Sequence, residues 1–305
     1  MSSMGSSSKP SVKHVATIGS FDGVHCGHQF LLRQVRRIAD ERALKAMAIT
    51  FRVSPKSVLG LAGVSSLTSI TERIDLLHQN GMDEVVALDF TREQASMSAR
   101  DFMQQVLKEQ LGVEVLVIGY DHRFGRGRSE GFDDYVRYGL EMGVEVVHGE
   151  ACLDEGEPIS STRIRRLLEE GKVEDANHLL GYRYTLQGKV VDGYKEGRKL
   201  GFPTANISPM DGGKLIPSDG VYAVWVSIDD VRYMGMLNIG YRPTLNNGKE
   251  RSIEVHILDF SGDIYGKEIG VEFAHCLRKE RTFTSLEDLA SQLHRDEKMV
   301  RELLS

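Results

Sequence analysis

The chain has 305 residues, 41% of them apolar and 27% charged, and carries a net charge of −6. That length holds one large core or two ordinary ones. The acidic balance argues against a phosphate-backbone partner, and no apolar run approaches the roughly 18 residues of a membrane span, so neither nucleic acid nor membrane is expected as a partner.

The opening MSSMGSSSKP is polar and reads as disordered, with no charged-then-apolar signal segment. From His14 to about Glu150, β-rich runs alternate with helical patterns. HVATIG, KAMAITF, DEVVALDF, VEVLVIG and VEVVHGE are near-continuous apolar strands, the pattern of a parallel sheet covered on both faces. Between them, SITERIDLLHQN has Ser69 and Glu72 at capping-box spacing, and SMSARDFMQQVLKEQLG stops at Gly112. The loop GRGRSEG has GxGxxxG spacing after a late strand and reads as a basic loop. After ISSTRIRRLLEEGKVEDANHLLG the helices disappear. YTLQGKVVDG, GVYAVWVSID, RYMGMLNIG, SIEVHILDF and IGVEFAHCL are strands separated by turn residues, which predicts a small antiparallel barrel. The final TSLEDLASQLHRDEKMVRELL is a helix with Thr284 and Glu287 at capping-box spacing. The expected fold class is α/β: a doubly wound parallel-sheet domain over 12–181, then a β-barrel domain with a C-terminal helix over 182–305. Cys26, Cys152 and Cys276 form no CxxC and no even framework, which fits a reducing cytoplasm.

The stretch GSFDGVHCGHQ, between the first strand and the first helix, carries the densest chemistry. His25, Cys26 and His28 admit a metal reading, but they crowd into four residues, whereas zinc sites draw ligand pairs from separated segments. A purely structural reading also stands. A phosphate reading accounts for more: Gly23 and Gly27 permit close backbone approach, a helix start favours anions, and residues i and i+3 share a face. Two imidazoles there can donate to phosphate oxygens as charge builds in a transition state. LGFPTAN offers Thr204 and Asn206 as neutral oxygen ligands suited to magnesium, or a turn entering a strand. In SIEVHILDF, Glu254 and His256 share one strand face, and either side chain can serve as a base. Lys195, Arg198 and Lys199 form a basic turn, and no P-loop occurs. Trp225, Met234 and Met236 read as core, with some exposure needed if the barrel binds a flat ring.

His25-x-Gly27-His28 resembles the HxGH signature of nucleotidylyltransferases, and ISSTRIR resembles the second signature of that superfamily. Taken in order, GSFDGVHCGHQ, TFRVSPKSV, VIGYDHRFG, ISSTRIRRLL, LGFPTAN, IEVHILDF and DIYGK resemble the bifunctional bacterial riboflavin kinases/FMN adenylyltransferases, or FAD synthetases, over almost the whole chain. The resemblance implies that the barrel converts riboflavin and ATP to FMN. It implies that the α/β domain converts FMN and ATP to FAD and pyrophosphate, with Mg2+ in both steps. It casts His25 and His28 as transition-state and phosphate histidines, with Gly19, Phe21, Asp22 and Gly23 lining the nucleotide. Asp121 falls near the flavin phosphate and ATP, and Ser161, Thr162 and Arg165 form the second signature. In the barrel it casts Gly197, Lys199, Gly201, Thr204 and Asn206 as nucleotide-binding, Thr204 and Asn206 as magnesium ligands, and Glu254 as the base. The chain departs from the family in having Ser54 where a histidine is common and His122 where phenylalanine is usual. The rivals are a kinase that has lost adenylyl transfer and a non-catalytic flavin sensor. Oligomeric state is left open.

Overall fold

The structure is a computed structural model that describes residues 12–53, 65–120, 122–193, 201–243 and 249–305. The polar N-terminal stretch, Ser54, Asp121, Lys195, Gly197, Arg198 and Lys199 lie outside the described residues. The chain divides into two compact units, 1–160 and 161–305.

The first unit is built on β1 (His14–Ile18), β2 (Lys45–Phe51), β3 (Glu84–Leu88), β4 (Val113–Ile118) and β5 (Glu145–His148). All are parallel, in the order β3-β2-β1-β4-β5. Every residue of β1 is buried, because both faces of the sheet are covered. The two-residue period of the strands splits the core accordingly. Ala16, Ile18, Met47 and Ile49 pack on one face, and Val15, Ala46, Ala48, Val115 and Val117 on the other. Strand β1 is flanked by β2 and β4, so the strand order reverses beside it, and the carboxyl end of such a strand is where open α/β sheets bind ligands.

Helices α1 (Cys26–Arg42), α2 (Ile70–Gln79), α3 (Arg92–Ser96), α4 (Ala99–Asp101) and α5 (Phe132–Met142) connect these strands. Ser69 caps α2 in a complete capping box with Glu72, as its spacing predicts. The segment after α4 winds on as a π-helix, Phe102–Gln110, and Gly112 follows it with φ +64°. GRGRSEG folds as a short 3-10 turn, Arg126–Arg128, entered through Gly125 at φ +89°. A two-stranded ribbon, β6 (Leu153–Asp154) with β7 (Glu157–Pro158), leads to the end of the unit.

The second unit opens with α6 (Ser161–Glu169) and α7 (Val173–Leu180). It continues as β8 (Thr185–Val191), β9 (Ala205–Pro209), β10 (Gly220–Ile228), β11 (Val231–Pro243), β12 (Lys249–Ile257) and β13 (Glu268–Arg278). These six close into an antiparallel barrel in the order β10-β11-β12-β9-β8-β13. Helix α8 (Leu286–Leu304) lays Val300 and Leu304 against Phe202, Val221, Met236 and Ala274. Its cap is Ser285, not the expected Thr284. Ser285 is extended, at φ −141° and ψ 161°, and its hydroxyl accepts from Asp288 N–H at 3.1 Å, while Thr284 bonds the Asp288 side chain. The sequence TSLED contains two overlapping cap patterns, and the chain uses the second.

The compact units part at 160/161, ahead of the expected 181/182, because α6 and α7 are hydrogen-bonded to the barrel. Asn177 donates to the Phe273 carbonyl at 2.9 Å and accepts from Tyr184 N–H at 2.7 Å. Glu174 accepts from Cys276 N–H, and Ser218 N–H reaches the Leu168 carbonyl. A fragment 161–305 should therefore resist urea better than 183–305, by at least about 3 kcal/mol, given the buried Ile164, Leu168, Val173, Leu179 and Leu180 that the shorter piece loses. Equal unfolding midpoints would show that the two helices are passengers on the barrel.

Candidate functional sites

The turn from β1 into α1 is held open by internal bonds. Phe21, Gly23 and Val24 all have positive φ, at 46°, 81° and 35°. Such backbone is strained for Phe and Val and persists only where neighbours enforce it. Asp22, 6% exposed, supplies the enforcement: its Oδ1 accepts from Leu67 N–H (2.9 Å), Thr68 N–H (3.2 Å) and the Thr68 hydroxyl (3.3 Å). Arg73 lies 3.7 Å from the same oxygen, and Gly23 N–H donates to Thr68 Oγ1 at 3.1 Å. Asp22 thus clamps the loop from inside. Phe21 is also internal, its ring edge-on to His28 at 5.2 Å and against Gly19, where a Cβ would meet the ring at 3.2 Å.

His25 is the N-cap of α1, and its Nδ1 accepts from His28 N–H at 3.4 Å. The two rings stack, with centroids 3.7 Å apart and an interplanar angle of 18°. Gly27 makes this possible: a Cβ there would stand 3.2 Å from the His25 ring and 3.4 Å from the Ile159 carbonyl. Stacked rings do not converge their nitrogens on one point, which disfavours the metal reading. Among the described residues no group of three or more His, Cys, Asp or Glu is arranged to hold a metal ion. The histidine pair stands at the N-terminus of α1, the helix end that favours an anion.

Beside this turn lies an apolar cavity of about 50 Å³ at the carboxyl edge of the sheet, lined by Ile18, Phe51, Phe90, Met97, Phe102 and Phe124. Phe102 and Phe124 are 5.7 Å apart, and Phe124 stacks on Tyr135 at 4.3 Å. The half-buried His122 tilts toward Phe124 at 6.2 Å. Sequence reading passed over this aromatic wall, whose members come from five separate segments. The one cue was that Phe51 and Phe90 end or follow apolar strands.

Helix α6 starts at Ser161, with Ser161 and Arg165 half-buried and Thr162 exposed. In the barrel, Gly201 has φ +83° with open space around it, and Thr204 immediately precedes β9. Asn206 lies opposite Glu254 across the β9–β12 ladder, and the Thr204 hydroxyl donates to Glu254 Oε2 at 3.1 Å. Gly193 leaves room for Asn206: a Cβ there would fall 1.8 Å from its amide nitrogen. Ile253, Val255 and Ile257 are buried while Glu254 and His256 share the other face, as the alternation predicts. Thr204, Asn206 and Glu254 present only oxygen donors, the set that suits a hard divalent cation. Met236 is buried, whereas Trp225 and Met234 are half-buried, and Arg232 lies 4.3 Å over the Trp225 ring.

A family model described as FAD synthetase matches residues 7–163, and one described as riboflavin kinase matches residues 180–304. The chain is 37% identical over 292 residues to the bifunctional riboflavin kinase/FMN adenylyltransferase of Listeria monocytogenes, covering 95% of this chain and 92% of that protein. It is 37% identical over 290 residues to the enzyme of the same name from Escherichia coli, covering 94% of this chain and 92% of that protein. The chain belongs to the bifunctional riboflavin kinase/FMN adenylyltransferase family. Helices α6 and α7 fall largely between the two family matches. A crystal structure described as a macrolide-efflux protein from Streptococcus pneumoniae superposes with a TM-score of 0.88 at 34% identity, over 97% of this chain and 96% of that one. No helix among the described residues is long and apolar enough to cross a membrane.

His28 is held well below the usual histidine range, first by burial of the charged form and then by the positive potential of His25, Arg73 and His122. Protonating it costs more in the folded chain than in the unfolded one. Its contribution to stability is therefore present above the unfolded value and is lost as pH falls through the folded value. An arriving phosphate opposes the shift. In an NMR titration the His28 midpoint should lie below that of a free histidine, and saturating FMN should move it upward. A midpoint at the free-histidine value, unmoved by FMN, would contradict this electrostatic account.

Proposed function

We propose that the chain carries out both steps of flavin cofactor synthesis, with the two chemistries assigned to separate residue sets. In the α/β domain an oxygen of the FMN phosphate attacks the α-phosphorus of ATP, a P–O–P link forms, and pyrophosphate leaves. His25 and His28 donate to the phosphate oxygens as charge builds on them. Ser161, Thr162 and Arg165 are assigned to phosphate binding in this reaction on the strength of the second signature, and the aromatic wall beside the turn offers an apolar face to the ring end of FMN. Asp22 serves this site by holding its loop. The stacked pair at the carboxyl end of β1 is the observation that carries this half.

In the barrel, the 5′-hydroxyl of riboflavin attacks the γ-phosphorus of ATP, ADP leaves as the β–γ bridge breaks, and Glu254 accepts the hydroxyl proton as transfer proceeds. The Thr204–Glu254 bond, with Asn206 opposite, carries this half. Thr204 and Asn206 would hold magnesium, which neutralises phosphate charge and orients the nucleotide. Glu254 is favoured over His256 as base because a carboxylate takes this part in other phosphoryl transfers and the family resemblance marks Glu254. We place the enzyme in the cytoplasm, which suits three cysteines that form no disulfide.

Chromatography of products from riboflavin and Mg-ATP tests the whole reading: FMN should appear first and FAD after it. FMN alone would mean a kinase that has lost adenylyl transfer, and neither product would mean a sensor. Replacing both His25 and His28 with alanine should lower FAD formation by at least ~10²–10³ while FMN formation persists. Stoichiometric zinc or iron in the parent, lost in the double variant, would restore the metal reading. Glu254→Gln should keep the fold and flavin binding but lower kinase kcat by ~10²–10⁴, leaving FAD synthesis from supplied FMN intact. Turnover of riboflavin at near the parent rate would remove Glu254 from the mechanism.

A further inference from the structure

Strands β9 and β12 pair through two rungs only, Asn206 with Glu254 and Ala205 with Val255. A third rung would set Thr204 against His256, but β9 begins at Ala205, so the backbone just before it has no strand ladder to β12. The Pro203 carbonyl finds its partner in a side chain instead, Nδ1 of His256 at 2.8 Å. A carbonyl oxygen only accepts, so this bond fixes the proton on Nδ1 of the neutral ring and leaves Nε2 as the lone-pair nitrogen. The ring is also held by packing. Phe202, in the buried cluster with Val300 and Leu304, stands edge-on to His256 at 5.1 Å and to His294 of α8 at 5.0 Å. One residue beyond Pro203, the Thr204 hydroxyl donates to Glu254.

We propose that His256 is a positioning residue of the kinase site: its Nδ1–H bond to the Pro203 carbonyl supplies the rung that β9 lacks and so fixes the Thr204 hydroxyl against Glu254 and toward the nucleotide. This rests on the reading of Glu254 as base and Thr204 as a nucleotide ligand. Without the imidazole donor, Pro203 and Thr204 are held to β12, among the described residues, by the Thr204 hydroxyl that must also meet Mg-ATP and by the rung that follows at Ala205. Losing the bond loosens nucleotide binding before it alters proton transfer. A base would show the opposite signature.

The test uses the full-length chain and exploits side-chain shape. Asparagine carries its amide nitrogen on Cγ, where histidine carries Nδ1, whereas leucine has a similar branch with no donor. His256→Leu should raise the KM for Mg-ATP about three- to tenfold, the range for losing one neutral hydrogen bond, with a smaller change in kcat and in the KM for riboflavin. His256→Asn should restore most of that loss, and FAD synthesis from supplied FMN should be unchanged in both. If His256→Leu does not fold, as read by thermal melting, His256→Gln replaces it. Its donor lies one bond too far out, so it should bind Mg-ATP more weakly than His256→Asn. The proposal is overturned if His256→Asn is as impaired as the leucine or glutamine variant, or if kcat alone falls while KM stays put. Glu254→Gln assayed alongside keeps the two ideas separate: parent-like turnover there sinks the base assignment, while the asparagine comparison still judges His256.

Discussion

A strand that stops at a binding surface leaves backbone N–H and C=O groups with no ladder to join, and each one buried without a partner costs about 1–3 kcal/mol. Both halves of this chain meet that constraint with side chains, and the geometry of both sites follows from it. Beyond β1, one oxygen of Asp22 gathers the N–H groups of Leu67 and Thr68, and His25 takes the N–H of His28. Ahead of β9, His256 takes up the Pro203 carbonyl. In each case the residue that satisfies the backbone stands within a few positions of the residues that face solvent. Fold and site are parts of one hydrogen-bonding solution.

The two sites differ in the way their chemistries require. The α/β turn presents imidazole nitrogens at a helix start, a setting suited to phosphate oxygens. The barrel presents oxygens from adjacent strands, suited to a cation and to a leaving proton. A single chain thus sets nitrogen-rich and oxygen-rich side-chain groups on separate frameworks, one a parallel sheet and the other a closed barrel.

Much of this was legible in the amino-acid order, for reasons that differ by element. The five parallel strands announced themselves as continuous apolar runs because a sheet covered on both faces needs them, and Ser69 with Glu72 marked a helix start that the chain uses. Strand β9 escaped listing among the strands because Ala205–Pro209 is short and partly polar; its partners β8 and β12 decide its conformation. The cap of α8 slid by one residue because Thr284 and Ser285 offer equivalent spacing and only the surrounding backbone chooses between them. At the candidate sites, HxGH and PTAN were visible as compact motifs. The aromatic cavity was not, because its walls come from distant segments. Nor could spacing show that Asp22 points inward, since a carboxylate beside a glycine reads equally well as a ligand or a clamp.

The face-to-face contact of His25 and His28 has an electrostatic consequence of its own. Two positive rings 3.7 Å apart would repel by roughly 4 kcal/mol even at an effective dielectric constant of about 20. Charging both rings together would meet that cost on top of the burial that already holds His28 down. A count of the imidazoles at this turn therefore overstates the positive charge they can carry together.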